Sequence, residues 1–203
     1  MKEPLRLDSP AGAPPAFVYL SQDPILGETV RAAGPQSVTP SAAFFPRFIQ
    51  SIVRQQISMD AADAIFQRLE NQVALTPTGI LHADPTDLRD AGLSGRKIET
   101  IQAVADAFET RQWDVTLFEE MTDEDVIAEL TTIRGVGVWT AKMQLVFSLG
   151  RPDVFPIEDL GVRRGMTALL PGDPSRDTME RIARRWQPYR SMAAMYLWAV
   201  QDQ

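Results

Sequence analysis

No cysteine occurs among the 203 residues, and only one histidine, His82, is present. The absence of cysteine excludes disulfide bonds, zinc–thiolate sites, iron–sulfur clusters and thiol nucleophiles. A single histidine argues against a histidine-rich metal site and against a Ser-His-Asp catalytic triad. If this chain catalyses a reaction, we therefore expect its acid or base to be a carboxylate.

Long apolar segments are also missing. No stretch of about 18 apolar residues occurs, which argues against a membrane-spanning helix, and the first 15 residues contain no apolar core typical of a secretory signal. Apolar residues make up 44% and charged residues 23% of the chain, as in ordinary globular proteins. The length predicts one domain or two small lobes, and we expect a cytoplasmic location, or a nuclear one in a eukaryote.

Charge is unevenly distributed along the chain. The net charge of −7 argues by itself against nucleic acid as a partner. Residues 134–190, however, contain 10 basic and 6 acidic side chains (local net +4), whereas residues 66–133 contain 5 basic and 14 acidic side chains (local net −9). Such an attracting and a repelling face would orient a polyanion, although both segments are equally well explained as solvated helix faces.

The hydrophobic pattern predicts an all-α fold. Apolar residues between Phe44 and Ile57 recur at spacings near 3.6, and no convincing alternation typical of strands appears anywhere. We expect a break at Thr76–Gly79, where turn-forming residues cluster. Helices are predicted over 17–33, from 44 onward, and over 59–74, 86–91, 98–108, 122–130, 138–149, 160–169, 175–185 and 189–201, with a turn at 93–97.

Two glycines lie between predicted helices in the segment Leu130–Ala141, where they form Gly135-Val136-Gly137. Glycine permits backbone conformations closed to other residues. The helix that follows begins with unpaired N–H groups and the positive end of its dipole, which together suit a phosphate. Thr140 and Lys142 add a hydroxyl and a cation. An ordinary helix–helix turn shows the same spacing, so this motif alone is weak evidence.

Two adjacent carboxylates, Glu158 and Asp159, follow an apolar segment with a proline and precede a predicted helix. Asp159 occupies a position typical of a helix N-cap. The functional alternative is a carboxylate held in a cleft by a stiff loop and a helix end, and spacing does not choose between the two acids. Trp139 and Trp198 are aromatic residues at helical spacing, which more often pack in a core than line a pocket.

Taken together, these segments resemble the helix-hairpin-helix DNA glycosylases, in the DNA-3-methyladenine glycosylase II branch. The resemblance runs from about residue 44 to residue 200 in one order. It implies two helical lobes with a central cleft and a helix-hairpin-helix motif at about 122–149, without an added N-terminal β-domain. We expect one lobe over 41–150 and a second that joins 1–40 to 151–203 and carries the catalytic aspartate. The segments that carry the resemblance are Phe48–Ser58, Ala91–Ile98, Leu130–Ala141, Asp153–Asp159 and Arg185–Ser191.

The resemblance implies a role for each matched residue. Asp159 corresponds to the catalytic carboxylate, and Trp139 and Trp198 to the walls of the base pocket. Gln56 corresponds to the wedge that fills the gap left by an extruded base, with Met59 beside it. Further DNA contacts are expected at the hairpin, from Arg134, Gly135, Val136, Gly137, Thr140 and Lys142. The backbone carbonyls of Thr131, Ile133 and Val136 are expected to hold Na⁺ or K⁺, and no other cofactor is required.

The activity implied is that of a monofunctional DNA glycosylase in base excision repair. Such an enzyme flips alkylated bases, such as 3-methyladenine and 7-methylguanine, out of double-stranded DNA and hydrolyses the N-glycosidic bond to leave an abasic site. Bifunctional members have a lysine nucleophile at the position of Trp139, so no lyase step is expected. Many relatives have proline at the position of Arg134. The family also leads us to expect a monomer.

Three alternatives stay open at this point. The same fold could act on ethenoadenine, hypoxanthine, 1-methyladenine or 3-methylcytosine, because pocket shape decides the substrate. A non-catalytic DNA lesion-binding protein would keep the hairpin without needing an ionised Asp159. An all-α protein-interaction domain would show no salt-dependent binding to DNA. Release of free base from alkylated DNA separates the enzyme from the other two.

Overall fold

The chain is all-α throughout the residues that the computed structural model describes, 15–38 and 43–200. No strand occurs in these ranges, which confirms the predicted fold class, and none of their helices is long and apolar enough to cross a membrane. The helices are α1 (Pro15–Leu20), α2 (Gly27–Ala33), α3 (Phe44–Val53), α4 (Met59–Gln72), α5 (Pro77–His82), α6 (Pro85–Asp90), α7 (Gly95–Thr110), α8 (Val115–Glu120), α9 (Asp123–Thr131), α10 (Val138–Phe147), α11 (Leu160–Leu169), α12 (Arg176–Ala183) and α13 (Arg190–Ala199), with a 3₁₀ turn at Arg184–Trp186.

The chain is divided into two compact units. One comprises Ser41–Gln144, and the other joins the residues up to Pro40 to Leu145–Gln203. The predicted lobes had their boundary at residue 150, so Leu145–Gly150 belong to the other unit than the one expected. The difference arises because the division falls inside α10 rather than at the glycine that follows it.

Side-chain caps start several helices where the sequence predicts them. The hydroxyl oxygen of Thr122 accepts the backbone N–H of Asp125 at the start of α9, and the Ser58 hydroxyl oxygen accepts that of Ala61 at the start of α4. Such caps satisfy N–H groups that the helix itself leaves unpaired, and each contributes about 1 kcal/mol.

Local side-chain chemistry also explains where the helix predictions were wrong. The helix predicted over 17–33 is two helices, and in the turn between them the Asp23 carboxylate accepts the N–H groups of Ile25 and Leu26, both at 2.9 Å. The predicted break at Thr76–Gly79 instead begins α5, with the Thr76 hydroxyl as cap and a proline in the first turn, where its missing N–H costs nothing. The short helix α8 was not predicted.

The unit that contains the C-terminal helices has a core centred on Trp186 and Tyr196, both fully buried. The Tyr196 hydroxyl donates to the Gly34 carbonyl at 3.1 Å and accepts the Gln36 N–H at 3.3 Å, which fixes the segment after α2 against α13. Trp186 packs edge-on against Phe155 at 5.8 Å between ring centroids. Asp159 and Trp198 therefore lie on helices that this core holds rigidly.

The unit over 41–144 has an aromatic core. Phe44 stacks on Phe118 at 5.1 Å, and Phe108 packs edge-on against Phe48 at 6.3 Å. The predicted apolar face of α3 is confirmed, because its phenylalanines and isoleucines are buried. Ile57, expected to continue that face, is 39% exposed because α3 has already ended.

Lys97 connects this core to the end of α3. Its ammonium donates to the Val53 carbonyl at 2.6 Å, at the last residue of α3, where a cation also complements the helix dipole. Burial lowers the pKa of Lys97, because the charged form loses hydration.

We predict that the free energy of unfolding rises with pH in the window between the pKa of Lys97 in the folded protein and the ordinary lysine value of about 10.4. In that window the unfolded chain binds more protons at this site than the folded chain does, so raising the pH favours folding. The rise should be absent in Lys97→Met. Side-chain NMR of the Lys97 ammonium measures its pKa directly, and a value at or above the ordinary one would contradict the prediction.

Candidate active site

Asp159 lies at the N-terminus of α11 and caps that helix. Its Oδ1 accepts the backbone N–H of Val162 at 2.8 Å and the indole Nε1–H of Trp198, also at 2.8 Å. The predicted N-cap is confirmed, and the same oxygen joins α11 to α13. Two fixed donors on one oxygen orient the whole carboxylate group, which a side chain acting on a reacting centre requires.

The indole of Trp198 is itself fixed by its surroundings. It stacks on Phe147 at 5.8 Å with the rings 21° from parallel. Gly161 also lies against it, at a position where a Cβ atom would come within 2.7 Å of the indole Cδ1 and 3.0 Å of the Asp159 Oδ1. A side chain at this position would therefore separate Trp198 from Asp159, which gives the glycine a steric reason.

Glu158, the neighbouring acid, has a different environment. Its carboxylate forms an ion pair with Arg176 of α12 at 2.8 Å, and its backbone carbonyl accepts from Arg163 at 2.6 Å. The spacing in the sequence left the choice between the two acids open. The two acids differ in these contacts: Glu158 pairs with an arginine, and the Asp159 Oδ1 accepts from an indole and a helix N-terminus.

The predicted hairpin lies between α9 and α10. Gly135 has a φ of +89°, a region that other residues rarely adopt, and a Cβ there would overlap the Thr100 hydroxyl. Gly137 has no such requirement: a Cβ there would meet nothing within 4 Å. The turn therefore needs one glycine for its own conformation and contains a second that faces open space.

The predicted contact residues around this turn fall into two groups. The Arg134 side chain is 86% exposed and forms an ion pair with Glu99 at 3.2 Å. Because both side chains are exposed, this ion pair does not hold Arg134 firmly. Val136 and Ile133 are buried, so only their backbone groups can face a ligand. Thr140 is 1% exposed and its hydroxyl oxygen accepts from Gln55, so that side chain is removed from the set of phosphate contacts.

The predicted wedge lies on the loop between α3 and α4. Gln56 is exposed and has a φ of +60°, and Met59 follows with 56% of its surface exposed. The adjacent Gln55 donates from Nε2 to the Thr140 hydroxyl oxygen at 2.9 Å, and its distance to the Gly135 carbonyl oxygen is 3.4 Å. The wedge loop and the hairpin are therefore in direct contact.

Internal ion pairs engage part of the positive charge of residues 134–190. Both Nε and Nη2 of Arg190 donate to the carboxylate of Asp153, at 2.7 and 3.0 Å, and Arg176 pairs with both Glu158 and Glu180. These arginines fix local structure. The count of 10 basic side chains therefore overstates the number of cations that are available to a polyanion, whereas the local net of +4 already includes these acidic partners.

A family model supplies the decisive comparison. The model of the HhH-GPD superfamily base excision DNA repair proteins matches residues 49–189. The chain belongs to the HhH-GPD superfamily. The matched segment contains the wedge loop, the hairpin and Asp159 in the expected order, whereas Trp198 lies beyond its end.

Named HhH-GPD relatives extend the match. DNA-3-methyladenine glycosylase 1 of Schizosaccharomyces pombe is 36% identical over 163 residues, which cover 76% of this chain and 71% of that protein. The alkylbase DNA glycosidase-like protein mag2 of the same yeast is 30% identical, with 84% of this chain and 85% of that protein covered. A solved structure of an S. pombe 3-methyladenine DNA glycosylase in complex with abasic DNA has a TM-score of 0.84 at 31% identity, covering 93% of this chain and 97% of that one.

The sequence analysis did not single out Gln55 in one unit, or Phe147 and Gly161 in the other. Gln55 and Gly161 had a usable signal, because each is next to, or two residues from, a residue that was singled out. Phe147 had none, since a phenylalanine in an apolar helix looks like any other core residue. The roles proposed for Trp139 and Lys142 stay predictions.

We predict that Gly135→Ala and Gly137→Ala differ in their effect on stability. Alanine at 135 combines a disfavoured φ with a clash against Thr100, so the free energy of unfolding should fall by about 1–3 kcal/mol. Alanine at 137 has room, and the loss should stay below about 1 kcal/mol. Urea unfolding followed by circular dichroism measures both, and equal losses would refute this account of the turn.

Proposed function

We propose that this chain is a monofunctional DNA glycosylase that removes alkylated purines from double-stranded DNA and leaves an abasic site. The observation that carries the proposal is the Asp159 carboxylate, which Val162 and Trp198 hold at 2.8 Å each at a helix N-terminus. Family membership and the names of the relatives support it. The solved relative in complex with abasic DNA supports duplex DNA as the partner.

The chemistry suits a site without histidine or cysteine. An N-alkylated purine such as 3-methyladenine carries a positive charge in the nucleotide and leaves as a neutral base, so it requires no general acid. As the C1′–N bond breaks, positive charge develops on the deoxyribose. The Asp159 carboxylate stabilises this charge electrostatically, and a water oxygen then bonds to C1′. The two hydrogen bonds to Oδ1 contribute by keeping the carboxylate oriented before the reaction begins.

Extrusion of the base has to precede this chemistry, because the bond is inaccessible inside the duplex. We assign Gln56 as the wedge that occupies the gap, with Met59 beside it, since both side chains are exposed on one short loop. Trp139 and Trp198 stay the proposed walls of the base pocket. Stacking on a tryptophan face contributes about 0.5–2 kcal/mol for a cationic ring and selects weakly among alkylated bases.

The hairpin is proposed to bind phosphate through backbone N–H groups at the start of α10. The carbonyls of Thr131, Ile133 and Val136 would hold Na⁺ or K⁺, because carbonyl oxygens are ligands that hard cations prefer. The Ile133 carbonyl already accepts the Val136 N–H at 3.1 Å, which uses one of its two lone pairs and leaves the other for an ion. A monomeric protein in the cytoplasm, or in the nucleus of a eukaryote, completes the proposal.

We predict that Asp159→Asn reduces excision of alkylated bases by about 10²–10³-fold. The amide oxygen of asparagine can still accept from Val162 and Trp198, so folding and affinity for DNA should be retained while the negative charge is removed. Chromatography of the bases released from methylated DNA in single-turnover conditions gives the rate. The product strand should stay intact, because a lysine nucleophile is absent at position 139.

Glu158→Gln is the matched control, since it removes the neighbouring charge in the same way. Its carboxylate is paired with Arg176, so the substitution should change the excision rate less than about tenfold. A normal rate in Asp159→Asn with a collapsed rate in Glu158→Gln would transfer the catalytic role to Glu158. Wild-type protein that binds lesions but releases no base would favour the non-catalytic alternative.

We predict that Arg134→Gln and Lys142→Gln each make the dependence of DNA affinity on salt less steep. The slope of log K against log [salt] should become shallower by about 0.9 for each phosphate that the variant no longer neutralises, with little dependence on DNA sequence. Arg89→Gln is the control. Arg89 lies in the acidic segment 66–133, so this substitution should leave the slope unchanged. Fluorescence anisotropy at several salt concentrations measures the slopes, and an equal change in all three variants would exclude a hairpin-specific contact.

A further inference from the structure

The loop between α3 and α4 has a backbone conformation that needs support. α3 ends at Val53 and Ser58 caps α4, so the connection is short. Within it Gln56 has a φ of +60°, the left-handed region that non-glycine residues rarely adopt. Such a conformation persists only where surrounding contacts hold it in place.

Contacts from three helices reach this loop. Arg54 forms an ion pair with Asp63 of α4 at 3.0 Å, and the Val53 carbonyl accepts from Lys97 of α7. Gln55 makes the third, through its Nε2 donor to the Thr140 hydroxyl oxygen at 2.9 Å. Thr140 is buried in the first turn of α10, so its hydroxyl is a fixed acceptor rather than a mobile one.

These contacts differ in what they connect. The Arg54 and Lys97 contacts fix the loop to α4 and α7, whereas the Gln55 amide joins it to the helix that begins at the hairpin. The same Nε2 lies 3.4 Å from the carbonyl oxygen of Gly135, inside the turn itself. Gln55, which directly precedes Gln56, is therefore bonded to a residue 85 positions further along the chain.

We propose that Gln55 is a positioning residue that fixes the location of Gln56 relative to the phosphate-binding hairpin. With this link in place, the wedge enters the duplex at a set distance from the phosphate that the hairpin holds. Without it, both elements persist, but their register on the DNA is no longer fixed. The inference rests on the proposed function, because it assigns the wedge and the hairpin to one DNA-binding surface.

The test compares Gln55→Met, which keeps the side-chain length but removes the donor, with Gln72→Met on the exposed end of α4 as the control. Duplex DNA with a tetrahydrofuran abasic-site analogue and 2-aminopurine opposite it reports wedge insertion by fluorescence at saturating protein. Gln55→Met should lower the fluorescence change, and it should lower single-turnover excision by about three- to tenfold, the effect of one hydrogen bond. The salt slope should stay at the wild-type value, and the midpoint of thermal unfolding should fall by no more than about 2–4 °C, the shift expected from one hydrogen bond in a chain of this size.

Thr140→Val removes the hydrogen bond between Gln55 and Thr140 by deleting its acceptor. It also provides the test if Gln55→Met folds poorly. It should reproduce the reduced signal, and the double variant should be no worse than either single variant, because both remove one interaction. The proposal would be overturned if the effects of the two substitutions on excision multiplied in the double variant, or if the fluorescence signal were unchanged in both single variants. It would also be overturned if the loss of excision in each variant were proportional to its loss in the unfolding midpoint. The fluorescence assay requires no bond cleavage, so a wild-type protein that inserts its wedge but releases no base would refute the proposed function and leave the positioning role standing.

Discussion

One carboxylate oxygen determines much of the geometry around the candidate site. The Oδ1 atom of Asp159 accepts from the backbone of its own helix and from the indole of Trp198 on α13. Neither helix can shift along the other without breaking one of these bonds, and Gly161 has to stay small for the indole to come close. The helix cap and the proposed catalytic carboxylate are therefore not competing descriptions of Asp159, because the cap is the means by which the carboxylate is held.

The ionisable residues of this unit divide between structure and chemistry. Glu158 and Asp153 are both paired with arginines, at 2.8 and 2.7 Å, which neutralises them and fixes the chain on either side of the apolar segment between them. Asp159 differs in that its Oδ1 accepts from two neutral donors, a backbone N–H and an indole N–H. These two donors carry no formal charge, so they orient the carboxylate without themselves cancelling its charge. The arginine pairs also show that part of the basic side chains of residues 134–190 is engaged within the protein.

The sequence allowed the fold class to be predicted from its helical periodicity and the family from the resemblance of its motifs, while the roles of the site residues stay predictions. Asp159 occupies a position typical of a cap in the sequence and is a cap in the structure. The wrong predictions have two physical origins. Some side chains have a partner that is distant in sequence, and others can either begin or end a helix. Thr140 carries a hydroxyl that suits phosphate, yet its partner is Gln55, 85 residues away, and no pattern around either residue reveals this.

The two hairpin glycines show how a structure separates internal constraints from external ones. Gly135 is required by the protein itself, because its φ is positive and Thr100 occupies the space that a side chain would need. Gly137 meets neither condition, and its open side leaves the start of α10 accessible. A backbone without a side chain, next to the unpaired N–H groups that a helix start provides, allows a phosphate to approach closely. Gly137, which the fold itself does not require, is therefore a better indicator of phosphate binding than Gly135, which the fold does require.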